Sequence, residues 1–139
     1  MQLAQAETLA RELMAEHLDT TWTFKWSNGK GVFGHCNNTR KQIALSKPLT
    51  ELNNLYEVNN VILHEIAHAL TPGHHHDNVW RLQAKALGCT GDRTHQAITP
   101  PRRWLGTCGI CGNTWQRHRR PTGAICPRDR NCIIWKLNV

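Results

Sequence analysis

The 139-residue sequence has no apolar run approaching the roughly 18 residues that a membrane-spanning helix needs, so an integral helical membrane protein is not expected. Its opening, Met1-Gln2-Leu3-Ala4-Gln5-Ala6-Glu7, lacks both a basic n-region and an apolar h-region. No secretory signal is therefore expected, and the location expected is cytoplasmic. Without export, the six Cys read as thiols or metal ligands rather than disulfides. No internal repeat or low-complexity tract stands out. Acidic residues are scarce in one stretch above all. Residues 102–139 hold eight Lys/Arg and a single carboxylate, Asp129, whereas residues 1–101 hold nine of each sign. The whole net charge of +7 therefore sits on the last 38 residues, and a neutral body carries a basic module.

The body alternates helical and extended patterns. Ala6, Leu9, Ala10 and Leu13 predict a helix over residues 3–18. Trp22, Phe24 and Trp26 alternate as in a half-buried strand, and Asn28-Gly29 before Val32-Phe33 suggests a hairpin. Gln42–Ser46 predicts a further strand, with Pro48 at its end or edge. Asn54, with Glu57 three residues on, caps a helix that runs to Leu70 and stops at Thr71-Pro72-Gly73. Another helix starts near Asp77, turns Val79, Leu82, Gln83 and Ala86 inward, and ends at Gly88. Thr99-Pro100-Pro101-Arg102-Arg103 reads as a stiff linker.

On the best-defined helix, His64 and His68 stand four residues apart, so both rings project from one face and can hold one ion. Glu65 lies about 100° around the helix, beside such an ion, where a general base would take a proton from water. His-Glu-x-x-His is the spacing of zinc hydrolases. A catalytic zinc takes a third protein ligand. The candidates lie in Gly73-His74-His75-His76-Asp77; His76 is favoured because it opens the next helix, with His74 as runner-up.

His64-Glu65-Ile66-Ala67-His68, then His76-Asp77-Asn78-Val79-Trp80, then Ala86-Leu87-Gly88-Cys89, resembles the SprT-like metalloprotease family, which includes bacterial SprT proteins and the eukaryotic protease Spartan. Its short phage and actinobacterial members look most similar. Gly34-His35-Cys36, Arg40 and Ile43-Ala44-Leu45-Ser46 resemble the family's β-region, and the likeness runs from about Leu3 to Lys136. The resemblance implies an α+β fold, with a small zincin-like domain of helices and a short antiparallel sheet over residues 1–101. It also implies a catalytic Zn²⁺ on His64, His68 and His76, with Glu65 as general base. The activity implied is proteolysis associated with DNA, including of DNA-crosslinked protein. An extended substrate peptide is expected to pair with a sheet edge near Ile43–Ser46.

Residues 102–139 are too few to bury a sufficient core unaided, so a staple is expected. Cys108-Gly109-Ile110-Cys111 is a C-x2-C knuckle, followed by Cys126 and Cys132. These four are expected to hold a structural Zn²⁺ in a zinc ribbon. The five residues between Cys126 and Cys132 depart from the second C-x2-C usual in SprT-like ribbons, and His118 could replace one thiol. Cys36 and Cys89 read as buried structural thiols. Arg102, Arg103, Arg117, Arg119, Arg120, Arg128 and Arg130 interleave with Trp104, Trp115 and Trp135. Such charge suits phosphates, and exposed aromatics stack on unpaired bases. DNA, single-stranded or bound without regard to sequence, is the expected partner, together with protein substrates on it and a nucleoid-associated location. For Trp115 and Trp135, packing the ribbon is an equal alternative. A rival reading makes the chain a non-catalytic zinc-ribbon DNA adaptor with a structural or inactive His site.

Overall fold

The computed structural model describes residues 1–94 and 97–137. The chain divides into two units, Met1–Thr99 and Pro100–Val139, and the whole is α+β with small sheets. Among the described residues no helix is long and apolar enough to cross a membrane.

In the first unit, α1 (Leu3–His17) buries Ala6, Ala10 and Met14, one turn apart along a single face. Strands β1 (Thr23–Ser27), β2 (Gly34–Asn37) and β3 (Gln42–Ser46) form a sheet in the order β1-β3-β2. The expected antiparallel sheet is in fact mixed: β3 runs parallel to β1 and antiparallel to β2. The expected hairpin between β1 and β2 is also absent. The Ser46 hydroxyl donates to the Gly29 carbonyl, and the Ser46 N–H to that of Phe33 at 2.8 Å. Those bonds pin the segment after Asn28-Gly29 to the end of β3, while Phe33, 1% exposed, plugs the core. β3 itself, expected to offer the peptide-binding edge, is the central strand with both ladders occupied; the outer strands are β1 and β2.

Pro48 ends no strand. It lies in the first turn of a helix that the sequence reading lacked, α2 (Lys47–Leu52), where a missing N–H costs nothing. Ser46 caps α2 by accepting from the Leu49 N–H at 3.3 Å. The helix α3 (Leu55–Leu70) follows expectation: Asn54 accepts from the Glu57 N–H at 3.1 Å, and the Thr71 hydroxyl closes the other end on the Ala67 carbonyl at 2.7 Å. Helix α4 (Asn78–Ala86) exists where expected but faces another way. Val79 and Leu82 are 49% and 71% exposed and Ala86 is exposed, while Trp80 and Ala84 are wholly buried against Leu63 and Ala67 of α3. An indole offers about 150–250 Å² of surface to bury, and turning it inward leaves Val79 and Leu82 outside.

The second unit is an antiparallel sheet of β4 (Trp104–Cys108), β5 (Thr114–Arg117) and β6 (Ile133–Leu137), with β4 central. Gly106 lies opposite Trp115 on one side and Trp135 on the other. A Cβ there would come within 2.7 Å of the Trp135 ring, so the absent side chain is what lets the indole cover the strand. Among the described residues of this unit only Gly106, Cys108 and Cys126 are buried.

Candidate active site and metal centres

Helix α3 carries His64 and His68 one turn apart, and the loop between α3 and α4 returns His76 to them. His76 adopts a left-handed backbone, φ 48°, just before Asp77 caps α4 by accepting from the Trp80 N–H at 3.0 Å. The result is a convergence of three Nε2 atoms: His76 lies 3.1 Å from His64 and 3.0 Å from His68. Three ring nitrogens drawn this close form one donor set that a single cation could share. A tetrahedral zinc with nitrogens at 2.0–2.1 Å would set them about 3.3 Å apart, so the donor set fits the ion in kind and spacing. Burial pulls the His68 pKa down to about 4, with the neighbouring His76 adding to the effect, which leaves its lone pair free at neutral pH. Burial lowers that of His76 in the same sense, with Arg93 next in weight.

Trp80 is the platform beneath this cluster. Its ring centroid is 4.6 Å from those of His64 and His76 and 5.1 Å from that of His68, against which it stacks. His74, the runner-up, is drawn instead to the cap of α4, its Nδ1 2.7 Å from Asp77 Oδ2; His75 is exposed.

Glu65 is 7% exposed, and that burial pushes its pKa up to about 8. It rests against β2 at Gly34, where a Cβ would sit 3.0 Å from Glu65 Cγ and 2.7 Å from Val61 Cγ1. Both His64 and Glu65 open onto a cleft of about 330 Å³ walled by Val32, Phe33, Gly34 and Val61 and rimmed by residues 92–94. Cys36, half-buried on β2, has its thiol pushed up to about 12 by burial and by the charge of Glu65. Cys89 is buried beside Trp80 and Ala84.

Residues 4–100 match the model of the SprT-like family. The chain belongs to that family. The matched stretch includes every residue of the histidine cluster, Glu65 and the cleft, and the SprT-like family brings with it a function of metalloprotease type. No curated protein matches the chain.

Beyond the SprT-like stretch, the second unit gathers Cys108, Cys111, Cys126 and Asp129, with donor atoms all within 4.8 Å of one another. Cys111 Sγ is 3.7 Å from Cys126 Sγ, and Asp129 Oδ2 is 3.3 Å from Cys108 Sγ and 3.6 Å from Cys126 Sγ. Hydrogen bonds from the thiols of Cys111 and Cys108 hold the Asp129 carboxyl below the usual range. Cys132, expected as the fourth ligand, is exposed and outside this group; His118, half-buried, is outside it too. All seven arginines are exposed. Arg120 lies over the Trp104 ring at 5.5 Å, and Arg102 and Arg117 both donate to the Gln116 carbonyl.

Trp80, Gly34 and Asp129 escaped the sequence reading as site residues. For Trp80 the signal was its size, four residues past His76; for Asp129, its place three residues past Cys126, as Cys111 stands three past Cys108. The contact of Gly34 with Glu65 joins a strand to a helix 31 residues on, and no local pattern marks it.

Proposed function

We propose that this chain is a zinc-dependent metallopeptidase of zincin type that cleaves proteins bound or crosslinked to DNA, guided there by its basic C-terminal module. The observation that carries the peptidase half is the convergence of the His64, His68 and His76 nitrogens beside a buried Glu65 on one cleft. These histidines would hold the ion, all three in the neutral form. When bound, zinc polarises a peptide carbonyl and makes water acidic near neutral pH. Glu65 accepts the proton of the attacking water and returns it to the leaving amine nitrogen. The Glu65 carboxylate, beside the histidine cluster on the same cleft, is placed to do both halves of that shuttle. The substrate main chain lies along the outer edge of β2, whose backbone groups bind any sequence in extended form. One side chain then enters the cleft between Val32 and Val61.

The DNA half is supported by charge. Seven exposed arginines share a module with one carboxylate, and guanidinium groups neutralise phosphates regardless of sequence.

The test is cleavage of a DNA-bound protein by the native chain and by Glu65→Gln. The native chain is expected to cut the DNA-bound protein faster than the same protein free, and to stop when chelator is added. Glu65→Gln should keep its zinc and lose cleavage. Undiminished cleavage by that variant would overturn the assignment of the base; zinc retained with no cleavage by the native chain would favour the adaptor reading.

A further inference from the structure

The two turns that carry the second metal group are built alike, residue for residue. In the first, the Cys108 N–H donates to the Asn113 carbonyl at 3.0 Å and the Gly112 N–H to the Cys108 carbonyl at 3.0 Å. In the second, the Cys126 N–H donates to the Asn131 carbonyl at 2.8 Å and the Arg130 N–H to the Cys126 carbonyl at 2.8 Å. The offsets are identical. So is the backbone at the fifth position of each turn, which is left-handed at Gly112, φ 75°, and at Arg130, φ 63°. The flanking pairs agree too: Thr107 faces Thr114, and Ile125 faces Cys132. Thr107-Cys108-Gly109-Ile110-Cys111-Gly112-Asn113-Thr114 thus repeats as Ile125-Cys126-Pro127-Arg128-Asp129-Arg130-Asn131-Cys132. Asp129 occupies the place of Cys111, and Cys132 occupies that of Thr114, which ligates nothing.

We infer that the second metal site is Cys108, Cys111, Cys126 and Asp129, a three-thiolate, one-carboxylate zinc site, and that Cys132 is no ligand. The spacing agrees. Tetrahedral zinc with Zn–S near 2.3 Å and Zn–O near 2.0–2.2 Å sets sulfurs about 3.8 Å apart and sulfur and oxygen about 3.5 Å apart. Cys111 and Cys126 place their sulfurs 3.7 Å apart, the Asp129 oxygen lies 3.3 and 3.6 Å from the sulfurs of Cys108 and Cys126, and all four donors lie within 4.8 Å of one another. Strand geometry agrees as well. Residues opposed across a ladder share a face and successive residues alternate, so Cys132 lies with Ile125 on the face away from Cys126. Both are exposed. The only carboxylate of an otherwise cationic module is thereby accounted for: three thiolates and one carboxylate bring the same charge to the ion as four thiolates.

The test replaces zinc by Co²⁺ in the full chain and reads thiolate-to-cobalt charge-transfer absorbance, to which the histidine cluster contributes nothing. Cys132→Ser is expected to keep the native metal content and absorbance. Asp129→Ala should weaken metal binding at this site by more than the roughly 10–100-fold that loss of an outer-shell partner costs. Asp129→Cys should restore it, with absorbance raised by about one third as three thiolates become four. In the zinc-loaded chain, iodoacetamide should label Cys132 and spare Cys108, Cys111 and Cys126. Loss of metal in Cys132→Ser, or protection of Cys132 from iodoacetamide while Asp129→Ala binds normally, would overturn the assignment.

Discussion

The two metal groups of this chain are made in opposite ways. The histidines project from α3 and from the entry to α4, elements held by a core of some size: Ala6, Ala10, Phe33, Ile43, Leu45, Ile62 and Ile66 in one cluster, and Leu63, Ala67 and Trp80 in another. That core assembles around apolar contacts, and the imidazoles arrive already aimed. The cysteine group has no such support. Of the three buried residues described in its unit, two are the ligands Cys108 and Cys126 themselves. One site is a tenant of a finished fold; the other is the fold's own core. A scaffold that stands without its ion can keep a coordination position open for chemistry, whereas one assembled by its ion must close around it.

Chelation should therefore break the two regions unequally, and this is the largest effect expected. Structural zinc in small modules contributes apparent binding energies of about 10–16 kcal/mol at pH 7, more than a sheet with so little buried surface can replace. Treating the full chain with a strong chelator should collapse amide-exchange protection in β4, β5 and β6. Protection in α1 and α3 should persist while peptidase activity disappears. Equal loss of protection in both regions, or none in the second, would erase the contrast.

A smaller perturbation sharpens the first region alone. Gly34→Val places new carbons where Val61 Cγ1 and Glu65 Cγ already stand, within 2.7 and 3.0 Å of its Cβ. Overpacking of this kind costs roughly 1–3 kcal/mol, well short of unfolding a typical domain. The displaced carboxylate matters more than the lost stability: a misplacement near 1 Å is worth on the order of 10²-fold in rate. The expected outcome is a fall of that order in kcat/KM, with zinc content unchanged because the three atoms nearest such a Cβ belong to Val61 and Glu65 and none to a histidine. Wild-type kcat/KM in Gly34→Val would show that β2 does not position Glu65.

How far these features could be read beforehand depends on whether their cause is local. The cap at Asn54, the stop at Thr71-Pro72-Gly73 and the four-residue spacing of His64 and His68 all lie within one helix, and α3 follows the pattern end to end. The parallel pairing of β1 with β3 joins residues 19 positions apart, Thr23 to Gln42, across an intervening strand. Nothing local favours it over the hairpin that Asn28-Gly29 suggests. Asp129 was hidden for a different reason. A search for thiols selects Cys132, because only the repeated turn, with Asn five residues past each leading Cys, shows which position is equivalent to Cys111.

Helix α4 shows the limit most clearly and supplies the smallest effect. Val79, Leu82, Gln83 and Ala86 satisfy helical spacing as well as Trp80 and Ala84 do, so periodicity alone leaves two faces in competition. The winner is decided outside the helix, by the histidine rings and the Leu63–Ala67 surface that Trp80 covers. With Leu82 71% exposed, Leu82→Gln removes little buried area and leaves the platform beneath the histidines untouched. Its expected change in stability is within about 0.5 kcal/mol, with peptidase activity unaltered. Thermal unfolding of the variant checks this. A loss of about 2 kcal/mol or more, the size expected for truncating a buried leucine, would mean that the helix packs by its Val79–Leu82 face and that Trp80 is not the platform of the site.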